Sequence, residues 1–99
     1  MKQPIRVIAR IAVKPGTEER VRSIFESLIE PTRQESGCLQ YELLLNVLNP
    51  AEFVLLEEWE SQSALDSHTI APHTKAAEAQ VAEWLERVPP DVRIYQTIA

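Results

Sequence analysis

The chain has 99 residues, 44% hydrophobic and 25% charged, the make-up of one ordinary globular domain spanning residues 1–99. Its formal charge of −5, with ten Lys and Arg scattered singly, excludes the clustered basic surface that nucleic acid requires. No apolar run is long enough to span a bilayer, and Met1-Lys2-Gln3-Pro4 followed by Arg6 and Arg10 leaves no signal-peptide core, so no membrane partner and a cytoplasmic location are expected.

Residues 5–13 alternate, with Ile5, Val7, Ala9, Ile11 and Val13 on one side and Arg6, Arg10 and Lys14 on the other, as in a half-buried strand. Pro15-Gly16 breaks it. Thr17 is placed to cap a helix whose apolar stripe is Val21, Ile24, Phe25, Leu28 and Ile29, with Glu18 and Glu19 at its positive end. Pro31 should kink or end that helix, and Gly37 supplies the stop. The lone Cys38 has no disulfide partner and reads as a small buried filler before it reads as a nucleophile. Residues 39–48 form a second strand with Leu39, Tyr41, Leu43, Leu45 and Val47 on one face. Asn49-Pro50-Ala51 turns the chain into a third strand over 53–60, antiparallel to the second. Ser61 can cap a short helix reaching His68. Pro72 suits the first turn of another, striped with Ala77, Val81, Trp84, Leu85 and Val88. Pro89-Pro90 ends it, and 92–98 completes the set as a strand. Strand, helix, strand, strand, helical region, strand is the order of an α+β, ferredoxin-like split βαβ fold with an antiparallel sheet.

Groups able to move protons gather after the third strand, in Glu57-Glu58-Trp59-Glu60-Ser61, His68 and Pro72-His73. Glu57 shares its strand face with Leu55 and Trp59. Burial there would raise its pKa, unless a base such as Arg10 pairs with it. Trp59 is a core or interface anchor, or the wall of a ring-binding pocket. His68 and His73 form either a differentiated acid and base or a helix-end histidine beside a surface one. Their five-residue gap, interrupted by proline, is not the i, i+4 pairing of a zinc helix, so no metal is expected. With only Gly16 and Gly37 there is no phosphate loop. Neither a Gly-x-Ser-x-Gly elbow nor a nicotinamide or flavin fingerprint occurs, so oxidase chemistry here would run without an organic cofactor.

Val13-Lys14-Pro15-Gly16, the run from Glu35 to Glu42 (Glu-Ser-Gly-Cys-Leu-Gln-Tyr-Glu), Glu57 to Ser61, Ala64-Leu65, His68 and Pro72-His73-Thr74-Lys75 resemble, in order and spacing, the antibiotic-biosynthesis monooxygenase domain family, and within it the small bacterial quinol monooxygenases. The resemblance spans nearly the whole chain. It implies a homodimer in which two ferredoxin-like sheets pair as a dimeric α+β barrel, with a pocket between sheet and helices in each subunit. It implies a small aromatic substrate, a phenol, anthrone or quinol, oxidised to a quinone with O₂ as co-substrate and without metal or flavin. On that view His68 is the base and Trp59 shapes the cavity. Glu57 orients or polarises, and Tyr41 or His73 bonds the substrate oxygens. Antibiotic-tailoring members carry an asparagine where this chain has Leu55. Haem-degrading relatives carry an asparagine and a tryptophan where it has Ala9 and His68, so haem degradation is disfavoured. A branch that isomerises a phosphorylated signalling sugar shares the His-x-x-x-Pro-His-x-Lys pattern from His68 to Lys75, and would use Lys75 as a cation for the phosphate. A non-catalytic dimeric binding module is the third reading. The motifs leave the three open.

Overall fold

The computed structural model describes residues 3–99; Met1 and Lys2, the start of the polar lead-in to the first strand, lie outside the described residues. The elements are β1 (Ile5–Ala12), α1 (Glu18–Glu26), α2 (Ile29–Arg33), β2 (Cys38–Leu45), β3 (Glu52–Trp59), α3 (Gln62–Thr69), α4 (Pro72–Val81) and β4 (Asp91–Gln96), with a 3₁₀ turn at Ala82–Trp84. The sheet is antiparallel throughout, in the order β2-β3-β1-β4. This is the expected ferredoxin-like α+β topology.

Alternation decides which face of the sheet is covered. Val7, Ala9 and Ile11 of β1 and Phe53, Leu55, Glu57 and Trp59 of β3 are buried. Their even-numbered neighbours, among them Ile8, Arg10, Val54 and Leu56, point to the opposite face and are only partly buried or exposed. Val21 and Phe25 of α1, Leu65 of α3 and Ala77 and Val81 of α4 close over the odd face and complete one core.

Three local expectations are corrected, and the break expected from Pro31 is found just before it. Thr17 stands at the N-terminus of α1 but makes no side-chain cap; its hydroxyl donates to the Lys14 carbonyl at 2.7 Å, and the Glu18 carboxylate accepts the Gly16 N–H instead. The first helix breaks before Pro31, at Ser27-Leu28, because the proline ring would collide with the carbonyl four residues earlier. Pro31 then falls in the first turn of α2, where its missing N–H costs nothing.

The expected face of the second strand is also interrupted. Cys38 lies opposite Trp59 and Gln40 opposite Glu58, so Leu39 is the extra residue of a bulge and stays exposed. At the other end Asn46 accepts the Leu48 N–H and starts the turn early, leaving Val47 and Leu48 in solvent. Finally, the last helical stripe divides at Val81. Beyond it Lys14 N–H bonds the Trp84 carbonyl and Glu86 N–H bonds the Ala12 carbonyl, ties to the end of β1 that a continued helix would forfeit. Leu85 is buried in that extended segment, and Val88 is exposed.

Candidate active site

Gly37 sets the geometry from which the site is built. It has φ +86°, and a Cβ there would lie 2.6 Å from the Ala64 Cβ and 2.9 Å from the Glu60 Cγ. Only glycine permits the loop before β2 to press this closely against the start of α3. The Gly37 carbonyl accepts the Glu60 N–H at 2.9 Å and fixes that approach. Glu35, two residues earlier, is thereby carried to the side of α3 that bears His68. On that side Ser61 caps α3, accepting the Ala64 N–H at 3.2 Å, and the helix turns His68 inward.

His68 is the centre of the cluster. Its Nδ1 lies 2.9 Å from Glu35 Oε2, and its Nε2 lies 4.0 Å from Glu57 Oε1. A carboxylate can only accept, so the contact to Glu35 places a proton on Nδ1 and leaves Nε2 as the free, basic nitrogen. The ring is held by Trp59, with centroids 4.6 Å apart, and meets Tyr41 edge-on at 5.5 Å. Thr74 Oγ1 stands 3.4 Å from Nδ1.

Glu57 is buried and accepts the Trp59 indole N–H at 2.9 Å. Burial pushes its carboxyl above the usual 4.5. The Trp59 donor and the His68 ring oppose that rise, and the Glu35 charge adds to it. Arg10, the base that sequence offered as its partner, bonds Glu52 at 2.9 Å on the other face of the sheet. Burial, and then the charge of Glu57, hold the Tyr41 phenol far above its ordinary value of 10, so it is a donor and not a phenolate. Cys38 is partly buried and not fully enclosed. Burial and the nearby Glu35 and Glu57 carboxylates raise its pKa, which opposes the thiolate a nucleophile needs.

A cavity of about 320 Å³ lies between the sheet and the helices. Most of its wall is apolar, supplied by Val7, Ala9, Ile11, Leu55 and Val92 of the sheet and by Phe25, Leu28, Val81 and Leu85 of the segments packed over it. The polar residues on that wall are Tyr41, Glu57, His68, Thr69, Thr74 and Glu78. Trp59 is wholly buried behind Glu57 and His68 and supports them from outside the cavity.

His73 does not line the cavity; its Nε2 reaches the same Glu35 oxygen at 2.6 Å. Lys75 is brought to neither place: it is exposed on α4 and faces Glu78 at 3.8 Å. Glu35 is the residue that sequence reasoning missed. It sits in a loop, 33 residues from His68, where no periodicity can find it; its place two residues before Gly37 was the available signal. One ligand atom from each of Glu35, His68 and His73 lies within 4.8 Å of the others, a donor set that could also receive a metal ion, where the spacing of the two histidines gave no such expectation.

The profile of the family described as "Antibiotic biosynthesis monooxygenase" matches residues 4–80, most of the chain and all of this cluster. The chain belongs to that family. A relative from Mycobacterium tuberculosis named "Putative monooxygenase Rv0793" is 39% identical over 87 residues, covering 88% of this chain and 85% of its own. Its solved structure superposes with a TM-score of 0.90, covering 97% of this chain and 96% of that one. "Probable quinol monooxygenase YgiN" of Escherichia coli strain K12 is 31% identical over 103 aligned positions, covering 93% and 96%. A conserved protein of Methanosarcina mazei Go1 gives a TM-score of 0.91 at 32% identity, covering 98% and 95%. A shared fold leaves the chemistry to the residues of the individual site.

Proposed function

We propose that this protein is a monooxygenase that oxidises small electron-rich aromatics, quinols or related polyphenols, with O₂ and without a bound cofactor. The observation that carries this reading is His68: one ring nitrogen is anchored by Glu35, and the other is presented beside Glu57 at the wall of an apolar cavity. A hydroxyl oxygen about 2.8 Å from both Nε2 and Glu57 Oε1 fits within their 4.0 Å separation, so one phenolic group can contact both. His68 takes the phenol proton, and the phenolate formed is a strong enough reductant to pass an electron to O₂. One oxygen atom then enters the ring and the other leaves as water, giving a hydroxyquinone from a quinol. The apolar walls accept the ring and keep bulk water from the intermediate. Tyr41 and Thr74 supply hydroxyl groups for the remaining substrate oxygens.

The phosphorylated-sugar isomerase is less well supported, because no Lys or Arg lines the cavity among the described residues and Lys75 faces Glu78. The assembly that fits is a homodimer formed on the even-numbered sheet face, where, among the described residues, Ile8, Leu44, Val54, Leu56 and Tyr95 make a partly buried to exposed apolar band. An oxygen electrode with a panel of hydroquinones tests the activity. Uptake of one O₂ per quinol, with label from ¹⁸O₂ in the product ring, is expected. Labelled product absent across the panel, with turnover of a phosphorylated ketone instead, would replace this reading by the isomerase.

A further inference from the structure

The cavity differs from one edge of the sheet to the other. Tyr41 of β2 and Glu57 of β3 are cross-strand partners, and His68 of α3 stands against both, so these polar groups share one side. The strand order puts β1 beside β3 and β4 beyond it. Val92 therefore lies two strand spacings, roughly 10 Å, across the sheet from β3. Every lining residue from that edge, Val88, Pro89, Pro90 and Val92, is apolar.

The β4 edge is also where the cavity opens. Val92 pairs with Ala9 and Ile94 with Val7, so all four share the helix-covered face. Ala9 and Val7 are 6% and 3% exposed, whereas Val92 and Ile94 are 49% and 54% exposed. The segments packed over the sheet thus cover β1 and stop short of β4. Val88 and Pro89, just before the strand, are exposed as well and give the opening an apolar lip. Thr69 and Glu78 are the exposed polar residues of the wall, and Glu78 lies 3.8 Å from Lys75.

Resting on the reading of this cavity as a quinol site, we propose that the opening at β4 is a subsite for an uncharged alkyl chain on the substrate ring. The preferred substrates are then alkyl-substituted quinols. The reacting hydroxyl stands between His68 and Glu57, the ring lies over β1, and the chain runs past Val92 and Val88 to solvent. An unsubstituted ring leaves water against those apolar walls, and each methylene that displaces it takes apolar surface out of solvent. A carboxylate tail is disfavoured by Glu78 on the same wall, and no Lys or Arg lines the cavity among the described residues. The second copy proposed above sits on the even-numbered face, opposite to Val92 and Ile94, and leaves the opening free. Because the chain lies away from the reacting oxygen, it binds ground state and transition state alike, so it acts on KM and not on kcat.

The test varies chain length and reads it in two ways. Anaerobic titration calorimetry with methyl-, propyl-, pentyl- and heptylhydroquinone measures binding without turnover. Oxygen uptake with the same series measures KM and kcat. Affinity should rise about two- to fourfold per added carbon until the chain clears the lip, then level off. KM should fall in step while kcat holds. Val92→Asp, at an exposed position of an edge strand, should flatten both series. Val88→Asp, outside any strand, should flatten them without touching the sheet. Affinity that stays level or falls with chain length, or a rise that both folded variants keep, would overturn the subsite; oxygen uptake across the series would then leave quinol oxidation standing. A rise in binding that the variants abolish, with no uptake by any member, would support the subsite and overturn quinol oxidation. Hydroquinones that neither bind nor consume oxygen would overturn both.

Discussion

At the scale of single residues, the cluster works by giving its titratable groups different surroundings. Glu57 and Glu35 are both carboxylates near one imidazole, yet Glu57 is desolvated and answers only to an indole N–H, whereas Glu35 bridges two rings. The raised pKa of Glu57 has a definite sign in stability. Folding favours its protonated form, so its contribution is complete below the ordinary 4.5 and is lost as pH rises through the raised native value. Glu57→Gln does not titrate and keeps an oxygen for the indole. Its melting temperature relative to wild type should therefore climb as pH rises from about 4.5 toward neutrality. A difference that stays flat with pH would show that Glu57 is not destabilised by its burial. The same variant should oxidise quinols more slowly, because an amide cannot exchange a proton with the hydroxyl held between it and Nε2.

At the scale of elements, Gly37 links fold to site. Gly37→Ala would force a Cβ against Ala64 at 2.6 Å in a backbone conformation that L residues rarely adopt. A loss of about 1–3 kcal/mol is expected in denaturant unfolding. The Glu35–His68 contact should loosen with it, so activity should fall further than the stability loss accounts for. A variant as stable and active as wild type would contradict the assigned role. Element order, the sheet, Glu57 on the Trp59 face and the short capped helix that carries His68 were legible in the sequence, because each rests on a local signal: a period of two along β3, and a cap plus short helix for α3. Three kinds of feature were not. The bulge at Leu39 is fixed by pairing with Trp59 and Glu58 across the sheet, and the end of α4 by hydrogen bonds to β1. Glu35 joins His68 only when a loop and a helix from distant parts of the chain are pressed together. Each is tertiary in origin, and no periodicity along the chain reports it; for Glu35 the nearby Gly37 was the one local signal.

At the scale of the whole molecule, one face of the sheet makes the cavity and the other is left with an apolar band. If that band pairs with a second copy, sedimentation should give twice the 11.3 kDa chain mass, and Leu44→Lys should shift the balance to monomer. A wild-type monomer at micromolar concentration would remove the assembly without touching the cavity. The proposed chemistry rests elsewhere, on the His68 ring at the wall of the cavity. The most direct test is oxygen uptake by His68→Ala against wild type, on protein shown by circular dichroism to be folded. The account predicts a fall of roughly 10²–10⁴-fold in kcat, the usual contribution of a general base. Undiminished uptake by the folded variant would contradict it.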